Sequence, residues 1–207
     1  MFLLPQTYWQ VKQTKEKGRG VFAAKEIPAG TVIGDYLGTI IDMAQFDPAD
    51  DAEHLFLMYF TDYACIYPDA ASPGVHLLNH SCRPNCWIYS YRGHTLFFSL
   101  KTIEPGEELT ISYLLSPDDG TCEPCTHVCK CGSRYCTGSM HLSFESYVLW
   151  QTFLKNERKK TKRAPFRYGK VLPKLPAYPE TIPGNSVYAK IWSASIPEVR
   201  KKRGDAL

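Results

Sequence analysis

Asn79-His80-Ser81-Cys82-Arg83-Pro84-Asn85 puts a carboxamide, an imidazole and a thiol within four residues and closes on a proline-directed turn. Its polar groups therefore sit on a short bend rather than along one regular face. Further along, Gly106-Glu107-Glu108-Leu109-Thr110-Ile111-Ser112-Tyr113 delivers a tyrosine hydroxyl at the end of an expected strand. Taken singly, the first run reads as a hydrogen-bonded loop and the second as a core or rim strand. A third constellation is a metal chemist's pattern: Cys129-x-Cys131-x4-Cys136 offers three thiolates on a glycine-containing loop. Structural zinc takes four nitrogen or sulfur ligands in a tetrahedron, sulfur at about 2.3 Å, so a fourth must come from elsewhere. Cys122-x2-Cys125 with His127 is a competing donor set, since C-x2-C is itself a zinc spacing. Free thiols without metal are the alternative, and Cys65 and Cys86 stay unassigned. Gly18-Arg19-Gly20 reads as a tight turn between strands; it lacks the third glycine and following helix of a dinucleotide fingerprint.

The elements that must position these groups read as short strands broken by turns. Trp9–Gln13 alternates, Val21–Ala23 resumes after Gly18-Arg19-Gly20, and Pro28-Ala29-Gly30 turns into a strand over 31–38. Asp47-Pro48-Ala49-Asp50 carries a cap-then-proline signature for one short helix, followed by an apolar run over 55–60. His94–Leu100 makes another strand, and Glu104-Pro105-Gly106-Glu107 turns the chain into a strand over 109–115. Residues 116–141 are loop and cysteine cluster. Phe144, Tyr147, Val148, Phe153 and Leu154 fall near helical spacing, which predicts a helix over 143–160 with its aromatic face on the body. Prolines 165, 173, 176, 179 and 183 then imply an extended segment, with one strand expected over 187–192. Residues alone give a mixed, β-rich fold.

At 207 residues the chain can bury a core, and one compact domain with an appendage fits better than two full domains. No run of eighteen apolar residues exists, so no membrane span is expected, and the first five residues lack the form of a secretory signal. Eight cysteines without an export signal suggest thiols and metal rather than a disulfide framework. An intracellular setting, cytoplasmic or nuclear, is the expectation, although an effector released into a host would carry the same residues. Net charge of +3 hides an asymmetry: residues 1–150 hold 10 Lys and Arg against 17 Asp and Glu, whereas residues 151–207 hold 14 against 4. An acidic body suits a cationic, lysine-bearing substrate, and a basic tail suits an acidic partner or nucleic acid unless it is simply a solvated face.

The order and spacing of Lys17-Gly18-Arg19-Gly20-Val21-Phe22-Ala23, the Asn79–Asn85 turn, the Glu107–Tyr113 run and the trailing cysteines resemble the SET-domain protein lysine methyltransferases over residues 7–141. That resemblance implies a mainly β (β-rich α+β) fold of small antiparallel sheets with a knotted C-terminal segment, a post-SET zinc loop and a C-terminal helix. Its divisions would be 7–115 (SET), 116–141 (post-SET) and 142–207 (basic extension). It implies S-adenosylmethionine as cofactor, held by Lys17, Arg19, Gly20, His76, Asn79 and His80. Tyr113 and Tyr36 would be catalytic, with Ile111 and Tyr36 lining the lysine channel. Zinc would be held by Cys82, Cys129, Cys131 and Cys136, and the substrate would be a protein lysine, histone included. Departures from the family pattern are Ser72-Pro73 for Gly-Asn, His76 for Arg, Thr39 for Glu and Ile111-Ser112-Tyr113 for Tyr-Asp-Tyr. A family tyrosine of the middle segment corresponds to His54 or Tyr59. These departures keep a rival reading open, a catalytically silent SET-like module that binds a lysine-bearing protein or nucleic acid.

Overall fold

The computed structural model describes residues 1–47, 55–120, 122–123, 125–158 and 165–182. The expected helix at 47–50, His54, the strand expected over 187–192 and most of the basic tail lie outside the described residues. Within them the chain builds three small sheets. Strands β1 (Trp9–Gln13), β2 (Arg19–Ala23), β10 (Glu108–Ile111) and β7 (Asn79–His80) form the first, in the order β1-β2-β10-β7. The second orders β3 (Val32–Asp35), β9 (His94–Ser99) and β8 (Cys86–Tyr91) as β3-β9-β8, and the third orders β4 (Thr39–Asp42), β6 (Ala64–Tyr67) and β5 (Met58–Tyr59) as β4-β6-β5. The small antiparallel sheets expected from the sequence are present, with one exception in pairing. β10 lies antiparallel to β2 but parallel to β7, with Thr110 opposite Asn79 and Ile111 opposite His80.

The core lies between the sheets. Val21, Ile33, Ile40, Ile66, Phe97, Ile103 and Leu109 are fully enclosed and supply most of the driving force for collapse. A second cluster, Val32, Trp87, Tyr89, Leu96 and Phe98, covers the outer face of the β3-β9-β8 sheet. The proline-rich stretch runs along the body: Leu172 is buried, Val171 bridges Thr39, and Thr181 bridges Thr31.

Two expectations change. Helix α1 (Phe144–Arg158) is present, but Phe144 is 73% exposed and Val148 46% exposed. Among the described side chains the contact stripe is Tyr147, Trp150 and Gln151, because the Trp150 indole meets Trp87 edge-on and so selects the register; the side chains of Phe153 and Leu154 lie outside those described. The last motif strand also stops at Ile111, two residues short of Tyr113. Leu114 adopts φ 57°, and the Tyr113 N–H leaves the ladder to donate to His80 Nδ1 at 3.2 Å.

Candidate functional site

The seam between β7 and β10 organises the polar residues. Ser81 N–H donates to the Ile111 carbonyl at 2.9 Å, so the Asn-His turn continues the parallel pairing before it bends away. Asn85, at the far end of that turn, stands in for a missing strand: its Nδ2 donates to the Glu108 carbonyl and its Oδ1 accepts from Thr110 N, both at 2.8 Å. One buried amide thereby pins β10 beside the turn.

On the other side of β10, Asn79 Nδ2 donates to the Arg19 carbonyl at 3.2 Å and to Glu108 Oε1 at 2.8 Å. Glu108 Oε2 in turn forms an ion pair with Lys17. Gly20 sits against this group so closely that a Cβ would lie 2.7 Å from Glu108 Oε1 and 2.8 Å from Asn79 Nδ2. Lys17, Gly20, Asn79 and the Arg19 backbone are thus brought together. The Arg19 guanidinium points away to the Ala70 carbonyl at 3.4 Å. His76 is buried against Phe56, with its Nε2 lacking a hydrogen-bond partner among the described residues. Desolvation by burial, reinforced by the nearby positive charges of the Met1 ammonium and Arg19, lowers its pKa to about 4, so the ring is neutral at pH 7.

His80 bridges two parts of the site. Its Nδ1 accepts the Tyr113 N–H, which leaves the proton on Nε2, 3.7 Å from Cys82 Sγ. Burial, with a smaller contribution from Lys17, holds its pKa near 4 and keeps this tautomer neutral. The Tyr113 ring packs edge-on against His80, and its hydroxyl donates to the Leu78 carbonyl at 3.4 Å. Ile111 is buried beneath. Tyr36 stacks on Phe97 and directs its hydroxyl to the Phe56 carbonyl, so it contributes a ring face to its surroundings.

The cysteines resolve into separate groups. Cys82, Cys129, Cys131 and Cys136 bring their sulfurs within 4.8 Å of one another. Cys82 Sγ lies 3.5 Å from Cys129 Sγ and 4.0 Å from Cys136 Sγ. A tetrahedron of sulfurs around zinc has edges of about 3.8 Å, between these two values, whereas a disulfide needs about 2.05 Å. Gly138 N–H donates to Cys136 Sγ at 3.4 Å, as thiolate ligands require of their surroundings. Cys122, Cys125 and His127 form a second group, joined by His141. Cys65 and Cys86 are core thiols; burial pushes the Cys86 thiol far up, and its S–H is directed to Asn85 Oδ1.

Residues 18–114 match the SET domain family. A Schizosaccharomyces pombe protein described as a histone-lysine N-methyltransferase, H3 lysine-9 specific, is 36% identical over 157 residues, or 62% of this chain and 32% of that protein. The SET-domain match takes in 97 of the 207 residues. Drosophila melanogaster histone-lysine N-methyltransferase Set2 is 36% identical over 116 residues, 50% of this chain and 5% of its own length. The chain therefore spans about a third or less of the length of these relatives. Its fold is similar to the crystal structure of KRYPTONITE in complex with mCHG DNA and SAH, with a TM-score of 0.51 and 24% identity over 64% of this chain and 29% of that one.

Sequence reasoning missed Glu108 as the hub between Lys17 and Asn79, and Asn85 as the clamp on β10. Glu108 had a usable signal, an acid opening an otherwise apolar strand that pairs on both edges. His141 had none, since sixteen residues separate it from Cys125.

Proposed function

We propose that this SET domain transfers a methyl group from S-adenosylmethionine to the ε-amine of a lysine in a protein substrate, a histone being the class that the relatives' names suggest. The observation that carries the reading is the parallel β7–β10 seam, which gathers Asn79, His80, Ile111 and the approach to Tyr113 in one place. Two features fit a polar cofactor beside it: a glycine-lined cradle too tight for a Cβ, and a buried imidazole nitrogen without a partner among the described residues.

S-adenosylmethionine would supply an electrophilic methyl on a positively charged sulfur. Lys17, Arg19, Gly20, His76, Asn79 and His80 are the residues that would hold it. A lysine ammonium has a reference pKa of about 10.4, so presenting it neutral at pH 7 costs about 4 to 5 kcal/mol unless the site lowers that value. Ile111 and the Tyr36 ring face, backed by Phe97, form the apolar channel wall that does so by desolvation. Tyr113, whose hydroxyl donates to the Leu78 carbonyl, would offer its oxygen lone pair to the amine and fix its line of approach, so its contribution is alignment and a local dipole. General-base work is a poorer role for a hydroxyl of reference pKa near 10.

Zinc on Cys82, Cys129, Cys131 and Cys136 holds the trailing loop against the Asn-His turn, and His80 Nε2–H supports the Cys82 thiolate. The setting is intracellular, and nuclear if the substrate is a histone. The acidic body receives the cationic substrate, while the basic extension engages an acidic partner or nucleic acid. One observation favours a second reading, the silent binding module: His76 is neutral where the family pattern has a cationic arginine.

Calorimetric titration with S-adenosylmethionine and methyl transfer to histone peptides separate the two readings. Wild-type protein is expected to bind, and Tyr113→Phe to bind nearly as well while turnover falls on the order of 100-fold or more. Unchanged turnover in Tyr113→Phe removes its catalytic role. No binding by folded, zinc-replete protein favours the silent module.

A further inference from the structure

We propose that Cys122, Cys125, His127 and His141 form a second structural zinc site, distinct from the four-cysteine set, that closes the base of the 116–141 loop. Each residue offers one ligand atom, and these atoms all lie within 4.8 Å of one another. Cys122 Sγ is 3.2 Å from His127 Nδ1, and Cys125 Sγ is 3.9 Å from the same nitrogen and 3.5 Å from His141 Nε2. The two nitrogens are 3.1 Å apart. Zinc with sulfur at about 2.3 Å and nitrogen at about 2.05 Å gives tetrahedral edges of about 3.5 Å between sulfur and nitrogen and about 3.3 Å between nitrogens. The sulfur–nitrogen distances straddle the first value, and the nitrogen–nitrogen distance falls just short of the second.

Proton assignment strengthens the case. His141 Nδ1 lies 2.6 Å from the Ser116 carbonyl, which can only accept, so that nitrogen carries the hydrogen and Nε2 presents a lone pair. An imidazole anchored by its other nitrogen to a carbonyl is the usual outer support of a metal-bound histidine. Facing that lone pair is His127 Nδ1, which has three partners and one hydrogen at most. If it donates to His141, it has no lone pair left to accept a Cys122 or Cys125 S–H. If it accepts from a thiol, two nitrogen lone pairs meet at 3.1 Å. A single cation satisfies all four ligand atoms together.

The backbone around the cluster is built to bring it together. Leu115 bridges His141, and Leu142 N–H donates to the Leu115 carbonyl at 3.0 Å, so the loop leaves and rejoins the body at one point. Met140 N–H donates to the His127 carbonyl at 2.9 Å and Cys129 N–H to the Gly138 carbonyl at 3.0 Å, forming a narrow ladder. His127 and His141 lie at its base, and Cys129 and Cys136 lie farther along. Four protein ligands leave no open position, so the ion is a clamp rather than a reagent. Its effect is to present Cys129, Cys131 and Cys136 to Cys82 with less freedom to lose.

Metal content of the full chain, purified with zinc present and then desalted, tests the assignment. Two zinc ions per chain are expected, falling to one in Cys125→Ser, to one in Cys131→Ser and to none in the double variant. Cobalt substitution then distinguishes the remaining ions, a four-sulfur spectrum in Cys125→Ser and a mixed sulfur-nitrogen spectrum in Cys131→Ser. One zinc per wild-type chain, removed by Cys131→Ser and untouched by Cys125→Ser, overturns the second site and leaves the methyltransferase reading standing. Two ions retained in Cys125→Ser also overturns it. Should that variant not fold, zinc-edge X-ray absorption of wild-type protein decides: three sulfurs and one nitrogen on average support two sites, and sulfur alone refutes the second.

Discussion

Gly20 lies in extended backbone, so it is its missing side chain, and no special φ, that the site uses. An added Cβ would press on the far ends of Glu108 and Asn79, both able to move, so the sheet survives while the cradle does not. Gly20→Ala is therefore expected to lose tenfold or more in S-adenosylmethionine affinity by calorimetry with its thermal midpoint nearly unchanged. His76 makes a different kind of prediction. Its pKa is about 4 in the folded protein against 6.5 in the unfolded chain, so above pH 6.5 neither state is protonated. Between those values the unfolded state binds the extra proton, and stability falls as pH drops, by about 1 kcal/mol per pH unit. His76→Phe removes that proton, so its urea midpoint should vary less between pH 6.5 and 4.5 than that of wild type. That Asn79 and His80 stand side by side was legible, because the pair is local in sequence. The place of Glu108 between Lys17 and Asn79 was not, because Lys17 is ninety-one residues away.

At the scale of elements, β10 depends on a side chain as much as on its neighbours. Asn85→Ala would strand the Glu108 carbonyl and the Thr110 N–H, both in a buried seam. With an unmet buried group costing roughly 1 to 3 kcal/mol, the variant should lose about 2 to 4 kcal/mol in urea denaturation. The alternation of Trp9–Gln13 and the run at His94–Leu100 made β1 and β9 readable. The end of β10 was not, since apolar character continues through Leu115 while the backbone hydrogen bonds stop at Ile111. Helix α1 was readable in extent but not in facing, because Phe144 and Val148 share the spacing of a core stripe yet are exposed, while Trp150 meets Trp87.

At the scale of the whole molecule, the change from an acidic first 150 residues to a basic remainder was visible in the sequence. How closely the extension lies on the body was not, because Leu172 and Val171 are isolated apolar residues among prolines whose partners are strands far back in sequence. No helix among the described residues is long and apolar enough to cross a membrane. The first sheet also carries a consequence for how the protein is made. β2 and β7 pair only through β10, with Glu108 opposite Phe22, so a ribosome must deliver some ninety residues after β2 before either edge is closed. Contacts this distant in sequence make folding slow and leave strand edges open to other chains in the interval. The Gly20–Asn79–Glu108 cradle consequently cannot close until about half of the chain has been made, and a copy stopped before β10 carries the Asn-His turn without it.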